Sequence, residues 1–227
     1  HRRYLRAPAL LITARRRILP CHLLPRSRLL YSPTDFCIFA EYNNEYNRYE
    51  MRLPAEWEKQ GAVQLTWPDD TTPWYELEKV QECYAQIAAA VLEHESLLIV
   101  TTSIPETSAR LAQIADEKGL NIDIDKIHFC ECPINDPWAR DHGAISVYGD
   151  NGEKYLYDFV FNGWGLKFAS DKDNQITKTV FFANMFAEDV ACVDMRPFVL
   201  EGGSIDTDGQ GTLITTRECL CSLNRNE

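Results

Sequence analysis

The chain has 227 residues and a 45% hydrophobic content, enough to bury one core in an ordinary globular domain. Its formal charge of −11 is uneven, because residues 1–50 hold nine Arg, no Lys and four acids, which leaves 14 basic and 30 acidic residues for the remainder. An acidic body argues against nucleic acid as a partner and favours a cationic ligand. No apolar run approaches the ~20 residues of a membrane span, so we expect no membrane-spanning segment.

Residues 1–50 show no sustained periodicity and begin with His rather than Met. They have the composition of a transit peptide, and they read equally as upstream sequence translated in error, with Met51 as the true start. The second interpretation is favoured because the well-patterned region opens at Leu53, directly after Met51. We therefore expect a leader at 1–50, disordered or mistranslated, and a domain at 51–227.

Eight Cys are scattered through the chain, which is too large to need disulfide bonds for stability. Reduced thiols in a cytoplasmic protein are the simplest account. Two C-x-C pairs, Cys130 with Cys132 and Cys219 with Cys221, leave a zinc site open as an alternative to small buried hydrophobic residues.

The first part of the body alternates strands with helices. A capping box, Ser103 with Glu106, starts one helix and Gly119 ends it. Hydrophobic periodicity predicts the other elements in this part: a strand at 62–67, a helix at about 74–93, and strands at 97–101 and 127–132.

The second part of the body contains two predicted hairpins. One pairs 144–148 with 155–161 across an Asn-Gly turn, and the other pairs 204–207 with 212–216. The order of helix, strand, acidic loop and hairpin occurs twice, with Asp141 and Glu201 in equivalent loops. Such a repeated unit predicts units stacked or closed around an axis, so that both carboxylates would face one central site.

The densest cluster of polar and aromatic residues is the segment 135–143, which we expect to be a short loop between two strands. Trp138 offers a flat apolar wall and Asp141 a carboxylate, a pair that suits a planar cation such as a guanidinium. The competing interpretation is structural: Arg140 forms a surface ion pair with Asp136 or Asp141, and Trp138 belongs to the core.

Chemistry at a guanidinium carbon requires a nucleophile and a proton donor. A thiolate can add to that carbon while a His protonates the departing ammonia, and a second carboxylate such as Glu201 would orient the His. None of His94, His128 and His142 is convincing as this base. Without a nucleophile and a base, the same residues would make a guanidinium-binding fragment and not an enzyme.

The segment from Leu53 to Asn226 resembles the agmatine deiminase and bacterial-type (Porphyromonas-type) peptidylarginine deiminase family. The motifs that carry the resemblance occur together and in order: Leu-Pro-Ala-Glu-Trp-Glu at 53–58, Trp-Pro at 67–68, Asn-Asp-Pro-Trp-Ala-Arg-Asp-His-Gly at 135–143, Phe-Asn-Gly-Trp-Gly at 161–165, Leu-Glu-Gly-Gly-Ser at 200–204, and Thr-Arg-Glu-Cys-Leu at 216–220 ahead of Asn-Arg-Asn at 224–226. Ala144 departs from the Pro that is usual in the family.

The resemblance implies an α/β chain that forms part of a five-bladed α/β propeller of the pentein type, built from ββαβ repeats and truncated here. It implies that Asp141 holds the substrate guanidinium, that Trp138 packs beside it and that Glu201 supports the catalytic His. Asp136, Arg140 and Trp164 are expected to support the site.

The implied reaction is hydrolysis of agmatine to N-carbamoylputrescine and ammonia through a Cys adduct, in putrescine biosynthesis, with no metal and no organic cofactor. Peptidylarginine or free arginine is the alternative substrate, and amidinotransfer is the less favoured reaction. In the family the catalytic His and Cys follow the region matched here, so we expect them beyond Glu227 and expect this chain to be inactive. An incomplete propeller is also expected to self-associate through its open edges.

Overall fold

The computed structural model describes residues 28–31, 36–40, 51–72 and 74–226. No helix in these ranges is both long and apolar enough to cross a membrane. The helices and strands follow one another as β1 (Arg28–Tyr31), β2 (Phe36–Ala40), β3 (Ala62–Thr66), α1 (Leu77–Leu92), β4 (Ser96–Thr101), α2 (Ile104–Lys118), β5 (Ile127–Glu131), α3 (Ala139–His142), β6 (Ile145–Tyr148), β7 (Lys154–Val160), α4 (Asp173–Phe182), β8 (Val190–Val199), β9 (Ile205–Thr207), β10 (Leu213–Thr216) and α5 (Arg217–Cys221).

Residues 59–143 and 169–187 form one compact unit around a parallel sheet in the order β3-β4-β5. The apolar run of β4 serves both faces of this sheet, because successive side chains of a strand point to opposite sides. Leu97 and Ile99 pack in one core cluster with α1 and α2, whereas Leu98 and Val100 pack in another with α4. Strands covered on both faces are typical of parallel sheets.

The predicted helix boundaries of α2 are confirmed. The Ser103 side chain accepts a hydrogen bond from the Glu106 N–H at 3.5 Å, and Gly119 takes the left-handed conformation at φ 65°. The strands at 62–67, 97–101 and 127–132 are found within one residue of their predicted ends, and the helix predicted at about 74–93 begins at Leu77. Local signals therefore located this unit well.

The second compact unit contains the described residues of 1–58 together with 144–168 and 188–227. Here β6 and β7 form the predicted hairpin and β8 adds in parallel to β7, while β9 and β10 form the other predicted hairpin. Buried apolar side chains from these strands and from α5 share one core cluster, which consists of Val147, Tyr157, Phe159, Leu200, Ile205 and Leu220.

Strands β1 and β2 lie within residues 1–50, where the sequence predicted no element. They join a four-stranded sheet in the order β1-β2-β10-β9, with β2 antiparallel to β10. The other residues of 1–50 lie outside the described ranges, and the assignment of 1–50 as a leader stays a prediction.

The α/β class is confirmed by the mixture of parallel and antiparallel strands with helices. In the described part of the chain the strands form three sheets, and none of them closes on itself into a barrel.

Candidate functional site

The segment 135–143 contains one turn of helix, α3, where the sequence predicted a short loop. The Trp138 N–H donates to the Asp136 carboxylate at 3.0 Å, and the Asp141 N–H donates to the Trp138 carbonyl at 3.0 Å. Trp138 and Asp141 are therefore tied together through the backbone, and Asp136, predicted as a supporting residue, fixes the start of the turn.

Gly143 ends the turn because no side chain fits at this position. Its N–H donates to the Ala139 carbonyl at 2.8 Å, and a Cβ on Gly143 would lie 2.6 Å from that same oxygen. Backbone atoms cannot move aside as a flexible side chain can, so the tight exit from α3 depends on glycine.

Side chains of the turn differ in exposure. Trp138 is 49% exposed, Arg140 is exposed, Asp141 is half-buried and His142 is buried. Trp138 is therefore not part of the core, which contradicts that part of the competing interpretation, whereas an ion pair of Arg140 with Asp136 or Asp141 stays a prediction. An accessible indole and a carboxylate on one turn are what a planar cation requires.

Trp138 contacts Trp74, a residue that sequence reasoning missed. Their ring centroids lie 5.9 Å apart with the planes inclined by 52°. A signal was available, since Trp74 follows β3 and Trp138 follows β5, and the carboxyl ends of parallel strands meet at the same edge of a sheet.

His142 supports the turn from inside the unit. Its Nε2 lies 3.4 Å from the Thr66 hydroxyl at the end of β3. Burial lowers the pKa of the His142 imidazole to about 4, so the ring is neutral near pH 7. His142 is therefore a buried, uncharged part of the turn.

The same unit holds the turn by a reciprocal pair of side chains, which we call the Asn135–Asp173 clasp. One carboxylate oxygen of Asp173 accepts from the N–H groups of Asn135 and Asp136, at 2.7 and 3.2 Å. The Asn135 amide oxygen accepts from the N–H groups of Lys172 and Asp173, at 2.8 and 3.4 Å. The clasp thus joins the segment 135–143 to the first turn of α4.

Glu201 lies in the other compact unit, between β8 and the short 3-10 turn Gly202–Ser204. It is 3% exposed, and Arg225 pairs with it. The Arg225 Nη2 and Nε lie 2.8 and 3.2 Å from the Glu201 Oε1. Sequence reasoning missed Arg225, although the motif Asn-Arg-Asn at 224–226 contained it.

The two asparagines beside Arg225 fix the segment 224–226 in place. Asn226 accepts from the Val199 N–H at 2.9 Å and donates to the Val199 carbonyl at 2.8 Å. Asn224 donates to the Gly165 carbonyl at 3.3 Å, and its own carbonyl accepts from Asn162 at 2.5 Å. Glu201 is consequently held by a network that reaches β8 and the segment 161–165.

Trp164, predicted as a supporting residue, belongs to a left-handed turn, Gly163–Leu166. All four residues have positive φ, including Trp164 at 58° and Leu166 at 66°. The Trp164 ring packs edge-on against Phe161 and Phe168, with centroids 4.9 and 5.7 Å apart. Left-handed non-glycine residues cost about 1–2 kcal/mol each, so surrounding contacts must hold this turn.

Three of the described thiols lie in surroundings that disfavour the thiolate. Burial raises the pKa values of the Cys130, Cys132 and Cys192 thiols, which keeps them protonated at neutral pH. His94 and His128 are exposed. In the described residues no group of three or more His, Cys, Asp or Glu side chains is placed to hold a metal ion, so the zinc alternative has no support there.

The profile of the family described as Porphyromonas-type peptidyl-arginine deiminase matches residues 52–227. The chain therefore belongs to this deiminase family, as the resemblance of its motifs implied.

Individual relatives agree with the family. The chain is 34% identical to an agmatine deiminase of Pseudomonas aeruginosa over 78% of its own length and 46% of the relative. A candidate arginine deiminase from Porphyromonas gingivalis superposes with a TM-score of 0.68 at 42% identity, over 78% of this chain and 50% of that one. A substrate-bound agmatine deiminase of C. jejuni gives 0.65 at 31% identity, over 81% and 51%. The chain spans about half the length of the curated relatives it matches.

Proposed function

We propose that this chain supplies the guanidinium-recognition elements of a deiminase that hydrolyses agmatine to N-carbamoylputrescine and ammonia. One observation carries the proposal: the half-exposed indole of Trp138 and the carboxylate of Asp141 lie on one backbone-locked turn, in a chain of the deiminase family. The acidic charge of the chain favours the same cationic substrate.

Asp141 would accept hydrogen bonds from the guanidinium, and Trp138 would present its ring face to the same planar cation. Each contact is stronger for a delocalised cation than for a neutral ligand. Asp136 and Arg140 would support Asp141, and Trp164 would support the segment beside Glu201.

The proposed reaction proceeds through a covalent adduct. A thiolate adds to the guanidinium carbon, an imidazolium protonates the departing ammonia, and water then attacks the amidino adduct, giving the ureido product and regenerating the thiolate. Glu201, held by Arg225, would orient that imidazole. We propose that the thiolate and the imidazole are supplied from outside the described residues; the raised pKa values of the Cys130, Cys132 and Cys192 thiols and the lowered pKa of the buried His142 support this.

Further proposals concern the setting of this reaction. The sheets would belong to a five-bladed α/β propeller, for which the superposition on known deiminases gives support. The reaction would contribute to putrescine biosynthesis in the cytoplasm. Open sheet edges would let this chain form homo-oligomers.

The test measures binding and turnover separately on the full chain. Agmatine is titrated by calorimetry, and putrescine, which lacks the guanidino group, serves as the reference ligand. We expect agmatine to bind and Asp141→Asn to weaken it at least ~10-fold, since a charge-assisted hydrogen bond is lost. Asp116→Asn, which removes one exposed carboxylate from α2, is the matched control.

Ammonia release is followed in the same samples, and we expect none from this chain alone. Equal affinities for agmatine and putrescine, or an unchanged affinity in Asp141→Asn, would refute the guanidinium site. Ammonia release would refute the proposal that the nucleophile comes from elsewhere.

Peptidylarginine is the second candidate substrate, because the matched family is described as a peptidyl-arginine deiminase and the 42% identical structure as an arginine deiminase. The two candidates differ at the far end of the substrate, where agmatine carries an ammonium and a peptide carries amide groups. Titration of a blocked arginine peptide beside agmatine separates them, and tighter binding of the peptide would replace agmatine as the proposed substrate.

A further inference from the structure

The Asn135–Asp173 clasp joins the segment that carries Trp138 and Asp141 to a helix far away in sequence. Helix α4 lacks a capping side chain of its own, and the Asn135 amide takes that place by accepting from the Lys172 and Asp173 N–H groups. In return, Asp173 accepts two N–H groups of the segment. Each partner thus satisfies backbone donors that would otherwise be unpaired.

Asp173 lies at the buried end of the clasp. Its side chain is 1% exposed, and two α4 residues that follow it, Ile176 and Val180, are fully buried. Both pack with Cys130 and Ile134 in one core cluster. The anchor of the clasp is therefore part of the core, whereas Trp138 at the other end is half exposed.

Burying a carboxylate costs more desolvation free energy than a purely structural anchor requires. One oxygen, Oδ1, takes both N–H groups, while Oδ2 is buried with no hydrogen-bond partner among the described residues. An Asn would offer the same acceptor without the desolvation of a charge. Asp173 also lies in the electrostatic field of Asp136, which itself interacts with Asp141.

We infer that Asp173 is a positioning residue of the proposed guanidinium site, which fixes the Trp138–Asp141 turn through the backbone and adds negative charge behind it. This inference rests on the proposed function. A cation bound at Asp141 would be attracted by the Asp173 charge through the low-dielectric interior.

The charge makes the inference testable by pH. Burial raises the pKa of Asp173 to about 6, with smaller contributions from Asp136 and Asp171 against its two N–H donors. The Cys132 thiol, which also lies in the field of Asp173, stays protonated in this range because burial raises its pKa. Protonation of Asp173 removes negative charge without removing the Oδ1 acceptor, so agmatine affinity is expected to fall between pH 7.5 and 5 while the turn stays in place.

Two variants separate position from charge. Asp173→Ala removes the acceptor, and we expect agmatine affinity at pH 7.5 to fall about tenfold and amide hydrogens of 135–143 to exchange about tenfold faster. Asp173→Asn keeps an acceptor, so exchange should stay within about threefold of wild type while the acid-side loss of affinity disappears. Thr177→Val, a nearly isosteric change at another buried position of α4, is the control for general destabilisation.

Three results would overturn the inference. The amide hydrogens of 135–143 could exchange at the wild-type rate in Asp173→Ala, or they could be accelerated equally in Thr177→Val. Agmatine affinity could also depend on pH in Asp173→Asn as it does in wild type. If wild type itself fails to bind agmatine, the proposed function fails. Hydrogen exchange then still decides whether Asp173 positions the turn, because that measurement needs no ligand.

Discussion

Loss of Arg225 is expected to destabilise the chain far more than loss of an exposed arginine. Arg225 and Glu201 form an ion pair whose side chains are 11% and 4% exposed, and removing one partner leaves the other charge buried and unpaired. Arg225 also donates to the Glu218 carbonyl at 3.3 Å and to the Ser222 hydroxyl at 3.2 Å. We therefore expect Arg225→Met to lower the free energy of unfolding by about 3–5 kcal/mol.

The chain contains a matched control. Arg196 pairs with Asp194 at 2.8 Å, but these side chains are 39% and 52% exposed. Arg196→Met should cost less than about 1 kcal/mol, since exposed pairs contribute little. Urea unfolding followed by circular dichroism at pH 7.5 measures both variants.

A double variant, Arg225→Met with Glu201→Gln, identifies the cause. Once Glu201 is replaced by a neutral glutamine, the loss of Arg225 leaves no unpaired charge in the interior. The double variant should therefore be more stable than Arg225→Met alone. If Arg225→Met costs no more than Arg196→Met, or if Glu201→Gln gives no recovery, the reasoning from burial is refuted.

Three further outcomes are expected. Gly143→Ala should lower the free energy of unfolding by about 1–3 kcal/mol and weaken agmatine binding, because its Cβ would meet the Ala139 carbonyl; unchanged thermal and binding midpoints would contradict this. Burial lowers the pKa of His142 from 6.5 to about 4, so the folded state loses stability as pH falls from 6.5 towards 4 and the imidazole must stay neutral. At pH 5 the free energy of unfolding should be lower by about 2 kcal/mol. His142→Asn should remove that loss, as measured by urea titrations at pH 7.5 and 5. Deleting residues 1–50 should leave the thermal midpoint within about 3 °C. The deletion also exposes the edge of β10, so sedimentation should show more self-association. A large loss of stability would instead show that β2 has a core role.

Sequence reasoning succeeded where a signal is local. The capping box at Ser103, the stop at Gly119 and the Asn-Gly turn at 151–152 each act over a few residues, and each element that they mark is found. The turn at 139–142 was missed because four residues are too few for hydrophobic periodicity to appear.

The candidate site was predicted in part for the same reason. Trp138 and Asp141 stand in one dense motif, so their proximity could be deduced. The partners that hold the site come from far along the chain: Asp173 lies 38 residues from Asn135, and Arg225 lies 24 residues from Glu201. Pairs of this kind leave no pattern in a single sequence, because nothing in the spacing of two polar residues distinguishes contact from coincidence.

The left-handed turn Gly163–Leu166 has a consequence for how its shape is specified. A short peptide copied from 161–168 should not adopt the turn in water, because Trp164 and Leu166 each disfavour positive φ. In the folded chain, Arg225 lies against the Gly165 backbone and Asn224 bonds to it, about 60 residues downstream. The shape of this loop is therefore specified by contacts with a later part of the chain.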